Sequence, residues 1–348
     1  MVDTMALLPP FIRPTRMTRS ARRPVAVLAA DGLPADDEVL LDVPDDRLGP
    51  ALVAAAQGAY GPAAVLLAAT RERAEWDDRD RYALRLAAFA RSRPDWLRDW
   101  RAAAPHDPDA LLVAAQLAVD RAWPSPGRAE LLREVSPLIT AAARADGRDP
   151  VPWRVALDHA RGSRAGHTYF GELWEAAVRR DPHHYGCHVA ALRYLASSWH
   201  GSHRECFDFA DLAAQDAPAG SPVQALPARA ALACLAGDGA GVERARLDAA
   251  ADRAIALSDL LPADRPWPAA EIRNLLAYLL IRLGRREEAL GQFALIGAYA
   301  TSFPWDRVSD DALGRFLELR AEVRSAHGAK PDGGPENGRG RRARARDH

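Results

Sequence analysis

From about Asp45 onward the chain repeats one pattern: apolar residues three and four apart, a short break of Gly, Pro or Asp, and the same again. DDRLGPALVAAAQG is followed by GPAAVLLAATRERAEW and DDRDRYALRLAAFARSRP, and later DPDALLVAAQLAVDRAWP by PGRAELLREVSPLITAAARADG. Such spacing puts the apolar residues on one face of an α-helix. Breaks of a few residues let each helix only fold back on the last, so helical hairpins are the expected unit. Alanine and leucine outnumber the β-branched residues, which favours helix over strand. PVAVLAADG and DEVLLDVP, between Val25 and Val43, give a weak extended signal flanked by Pro and Gly, and no sheet is expected from them.

Alanine-rich helices close on an Asp/Pro element at Pro150, Pro182 and Pro218, spacings of 32 and 36 residues, while Pro108 and Pro262 fall less regularly. Proline suits the first turn of a helix, where its missing N–H is not needed, and an aspartate before it can cap that turn. Two-helix units repeating at this length indicate a stacked solenoid. The unit AEIRNLLAYLLIRLGRREEALGQF, from Ala270 to Phe293, resembles a tetratricopeptide repeat. Leu276, Ala277 and Leu280 fall where the first helix meets its neighbours, Gly284 ends that helix, and Ala289 and Phe293 lie on the second. An earlier unit matches in part, through Trp174, Ala177 and Pro182. A second resemblance spans roughly residues 45–215: Trp96, Trp100, Pro105, Ala122, Trp123, Trp199, Gly201, Ser202, Phe207 and Ala210 look like those of a bacterial family of tetratricopeptide-like proteins of unassigned function. His200 sits where that family tends to carry a small residue, which argues against a family-wide role for its imidazole. These resemblances imply an all-α, right-handed superhelical solenoid of antiparallel helical hairpins over residues 45–327, with an irregular or short extended segment at 25–44.

The ends differ from the middle. Residues 1–24 and 328–348 are polar and rich in arginine, and both are expected to be disordered. The formal net charge is −1, so the central part is acidic. Three cysteines, at 187, 206 and 234, are too few for a secreted disulfide framework, and no apolar run of membrane-spanning length occurs. A cytoplasmic protein with reduced thiols and no membrane partner is expected.

Residues 181–209, DPHHYGCHVAALRYLASSWHGSHRECFDF, hold five of the ten histidines. If Pro182 opens a helix, His184, Cys187 and His188 share one face, and His203 and Cys206 on the next helix could complete a zinc site. The HExxH arrangement fails because Tyr185 stands where the catalytic glutamate belongs. The competing reading is structural: Ser202 and Glu205 form a capping box ahead of the stripe Phe207, Ala210 and Leu212, and the cysteines fill the core. That reading explains more of the same letters. GDGAG at 237–241 follows a helical run rather than a strand, so it reads as a helix–helix turn and not a phosphate loop.

No nucleophile motif, P-loop or kinase set is present, and the expectation is a non-enzymatic scaffold that binds a protein or peptide partner without a cofactor. Tyr169, Trp174, Tyr194 and Trp199 are the candidate aromatic anchors of a groove, with Arg193 to pair an acidic group. Two alternatives compete: a zinc-dependent enzyme or sensor built on the His/Cys cluster, and a nucleic-acid-associated protein acting through the Arg-rich tail, the latter disfavoured because no aromatics interleave its arginines.

Overall fold

A computed structural model describes residues 33–42, 45–237, 241–262 and 267–328. Most of the expected basic ends, 1–24 and 328–348, and residues 238–240 of the GDGAG turn lie outside the described residues. The described chain is all-α, with fifteen helices: α1 Leu48–Ala56, α2 Gly61–Glu72, α3 Trp76–Ser92, α4 Asp95–Ala103, α5 Pro108–Ala122, α6 Arg128–Ala145, α7 Val151–Gly162, α8 His167–Val178, α9 Tyr185–Tyr194, α10 His203–Asp216, α11 Leu226–Ala236, α12 Arg244–Leu260, α13 Ala269–Arg282, α14 Arg286–Ile296 and α15 Ala312–Gly328.

Consecutive helices pack on one another, and the odd-numbered ones also meet in series: α3 touches α5, α5 touches α7, and so on through α9 and α11 to α13. α3 reaches α7 and α9 as well, so this row curls back on its own start. Burial follows. In α13 every residue from Ile272 to Leu280 is buried, which explains why NLLAYLLI lacks a polar face: a helix covered on all sides has none to offer water. Leu276, Ala277, Leu280, Ala289 and Phe293 are all fully buried, as the α13–α14 resemblance implies. Gly284, just past α13, has φ +74°, the left-handed conformation that closes a helix at little cost only in glycine. The core runs in overlapping sections. Leu86 and Trp100 belong to the first, Ala83 and Leu157 to the second, and Leu192 and Phe293 to the third, so α3 and α9 each serve two of them.

The Asp-Pro elements open helices in different ways. Asp107 is the N-cap of α5, its Oδ1 accepting from the amides of Asp109 and Ala110 at 2.9 and 3.0 Å, with Pro108 in the first turn. At Asp181-Pro182 the helix begins later: the Asp181 carboxylate accepts from His183 N and its carbonyl from His184 N, and α9 starts at Tyr185 with His184 as N-cap. Pro182 therefore opens a turn, not the helix. The odd-numbered helices from α3 to α13 begin at 76, 108, 151, 185, 226 and 269, unequal steps rather than one fixed period.

The extended signal near residue 40 has a use that local pattern did not show. β1, Leu40–Leu41, pairs in parallel with β2, Tyr299–Ala300, in a two-residue bridge between the two ends of the described chain. Asp42 accepts from Ser302 N at 2.9 Å and pairs with Arg85 of α3 at 2.9 Å, while Asp36 pairs with Arg320 of α15. Trp305 is fully buried behind this bridge, donating from Nε1 to Asn274 Oδ1 at 2.8 Å. The N-terminal segment thus ties α3 to the C-terminal helices.

Candidate functional site

The starts of the stacked helices carry charge into the interior. Arg79 on α3 is fully buried and spans two carboxylates, Asp109 at 2.6 Å and Asp149 at 2.7 Å, while also donating to Leu67 O. Arg154 on α7 pairs with Asp80 at 2.5 Å and Asp158 at 3.4 Å and donates to the Gln116 amide oxygen. Buried charges survive only when paired and hydrogen-bonded, so these two arginines fix how α3, α5 and α7 register. Gly186 on α9 completes the arrangement, because a Cβ there would lie 2.1 Å from Asp80 Oδ2.

The His/Cys cluster belongs to this packing. His184 Nδ1 accepts from the Cys187 amide at 3.2 Å and lies 3.1 Å from its sulfur, and Nε2 faces Trp76 O at 3.4 Å and Asp77 at 3.8 Å. Cys187 is fully buried, its thiol directed at Pro150 O. His188 Nδ1 donates to His184 O at 3.0 Å, so its ring turns back along its own helix, and Cys206 donates to Leu192 O. His203 sits in the first turn of α10 with Nε2 3.4 Å from Ser197 Oγ. Among the described residues no group of three or more His, Cys, Asp or Glu could hold a metal ion. Sequence spacing put His184, Cys187 and His188 on one helical face. The later helix start instead makes His184 a cap, with its ring folded over the first turn. Asp77 stands beside it, and burial pushes its carboxyl up to about 6. Ser202 caps α10 by accepting from Glu205 N at 3.2 Å, but the Glu205 carboxylate accepts from the Ser202 hydroxyl at 2.8 Å, so only half of the capping box forms.

A different group gathers at the other end of the same helices. Trp123 caps the C-terminus of α5, Arg161 lies in the last turn of α7, Arg193 in the last turn of α9, and Trp199 in the loop after it. The two indoles stack at 5.6 Å. Arg161 sits over both rings, at 4.4 and 5.1 Å, and Arg128 over both at 5.0 and 5.4 Å, within cation–π range. Gly162 makes this possible: a Cβ there would strike Trp123 at 2.4 Å.

Arg193 is exposed to solvent yet recessed. Burial and the charges of Arg229, Arg161 and Arg307 bring its guanidinium down to about 10, against the pull of Asp158. Asp158 itself is shared by Arg154 and Arg161 at 3.4 and 3.3 Å. Burial raises its carboxyl, but Arg193, Arg154 and Arg161 outweigh that and hold it below the usual range. Arg229 is engaged elsewhere, donating to Tyr185 Oη at 2.7 Å, pairing with Glu271 and lying over Phe303 at 4.2 Å.

The expected anchors separate. Trp199 joins the arginine cluster, and Arg193 lies near enough to Arg161 for the two charges to oppose each other. Tyr194 is buried, its ring 3.7 Å from Phe170 and its hydroxyl donating to Ala165 O at 2.9 Å, so it is core. Trp174 packs edge-on against His188 at 5.0 Å and Phe209 at 5.4 Å, joining α8, α9 and α10. Tyr169 is 50% exposed on α8 and makes none of the cluster's ring contacts. Arg128, Arg161, Arg229 and Arg307 were missed, because nothing local distinguishes them from the other arginines of this lysine-poor chain. Compared with family models, with curated proteins and with solved structures, the chain matches none.

Proposed function

We propose that the chain is a non-enzymatic scaffold, a tetratricopeptide-like solenoid of helical hairpins that binds a segment of another protein. The contacts of α3, α5, α7, α9, α11 and α13 in series support the reading, since stacked hairpins of this kind leave one helix of each pair on a shared inner surface. The observation that carries it is Arg193. A guanidinium that is solvent-exposed, set among other arginines and left to share Asp158 with Arg154 and Arg161 has capacity for an incoming carboxylate. The His184–Cys187 pair, the arrangement closest to catalytic chemistry, is fully buried. Among the described residues no helix is long and apolar enough to cross a membrane, which agrees with a protein partner in water.

Affinity purification of the full chain from its native cells tests the reading. A protein retained in near-stoichiometric amount supports it; recovery of the chain alone at low and moderate salt refutes it.

A further inference from the structure

Resting on that scaffold reading, we propose that the arginine–tryptophan cluster at the C-terminal ends of α5, α7 and α9 is the subsite for a run of carboxylates in an extended acidic segment of the partner. Arg128 and Arg161, from α6 and α7, lie over its rings, and Arg193 of α9 and Arg307 of the single turn Trp305–Arg307 are close enough for their charges to act on Arg161 or on one another. The acids within their reach do not balance them. Asp158 alone is shared by Arg154, Arg161 and Arg193, and among the described residues Arg307 pairs with its neighbour Asp306 at 3.6 Å. Arg161 is nine-tenths buried with its Nε unpaired, and it is held flat by Trp123 and Trp199. A guanidinium clamped on an aromatic face has already lost its rotamer freedom, so a carboxylate that reaches it loses little more to ordering.

The arrangement favours carboxylates over other anions. Sites for a single phosphate converge backbone N–H groups at a helix N-terminus, whereas α7 and α9 present C-termini, which offer carbonyls in place of those donors. Single charges spaced along an extended chain match guanidinium groups spread over four elements. Single-stranded nucleic acid would require free aromatic faces for its bases, but Trp123 and Trp199 already face each other and the two arginines.

The test is calorimetric titration of the full chain with hexaglutamate at low salt, beside inorganic phosphate and an oligothymidylate. Saturable hexaglutamate binding that weakens as salt rises, falls about tenfold or more in R193E and in R193Q, and is unchanged in R204E supports the proposal. Arg204 is the apt control because it is an exposed cation on α10, paired only loosely with Asp208 at 3.6 Å. Equal thermal unfolding of all variants establishes that R193E is folded. No hexaglutamate binding, equal binding by R193E, or tighter binding of phosphate or oligothymidylate overturns it. If the native partner is retained equally by wild type and R193E, the acidic-segment inference falls while the scaffold reading stands; if wild type retains none, the scaffold reading falls.

Discussion

Replacing Arg79 with methionine isolates the charged interior that aligns the stacked helices. Methionine keeps most of the length and removes the charge. Of the two carboxylates Arg79 holds, Asp109 retains Arg71 at 3.2 Å. Asp149 retains only the amide of Val151 at 2.8 Å, at a site where burial already raises its carboxyl above the ordinary value. Leaving one buried charge without its partner costs about 3–5 kcal/mol. With unfolding entropy of ~2.1 cal/mol/K per residue, roughly 290 ordered residues carry ~0.6 kcal/mol/K, so the melting temperature should fall by about 5–8 °C in R79M. The orphaned Asp149 binds a proton more readily folded than unfolded, so the penalty is largest at neutral pH and shrinks in acid. R79M/D149N should recover much of the loss, because the amide keeps the oxygen that caps Val151 and needs no counter-charge. Thermal unfolding by circular dichroism at pH 7 and pH 5 decides the matter. A drop under about 2 °C, or no recovery in the double variant, refutes the reasoning that these ion pairs hold α3 against α7.

Three further predictions follow from single positions. Gly186→Ala would place a methyl 2.1 Å from Asp80 Oδ2; although alanine is favoured over glycine within helices by about 1 kcal/mol, the variant should be destabilised by ~1–3 kcal/mol in urea unfolding, and a gain would contradict the packing described. Ser202→Ala removes the hydroxyl that caps α10 and should lower stability by ~1 kcal/mol, with Ser202→Thr close to wild type. The Asp77 carboxyl, pushed by burial to about 6, holds a proton in the folded state that the unfolded chain releases nearer pH 4. Stability should therefore fall as pH rises from about 4 to about 6. Urea midpoints of Asp77→Asn should lose that component of the slope, and parallel profiles would contradict it.

The helical class was legible because the pattern that encodes it is local. Periodic apolar residues between short breaks gave the hairpins, and the glycine at 284 and the serine at 202 marked a helix end and a helix start that the structure shows. What depended on distance was not. Arg79 meets Asp149 across 70 residues and Arg154 meets Asp80 across 74, and neither arginine differs in its neighbourhood from those on solvated faces. Tyr194 and Trp199 are five positions apart, yet one closes on Phe170 in the core and the other reaches forward to Trp123, a choice made by the loop between them. His184 was misplaced by one turn because Asp-Pro opens a helix directly at 107–108 but a preceding turn at 181–182. Arg193 stood out as a potential partner for an acid, while the arginines around it arrive from α7, α11 and the 305–307 turn and could only be seen assembled.

The proposed partner is a protein with an acidic segment that reaches Arg193 at the C-terminal end of α9. Quantitative mass spectrometry of what wild type, R193E and R204E each retain from native cells tests it most directly. A protein rich in aspartate and glutamate should be retained by wild type and R204E and lost from R193E. The same proteins at the same abundance in all three, or none above background in wild type, would contradict it.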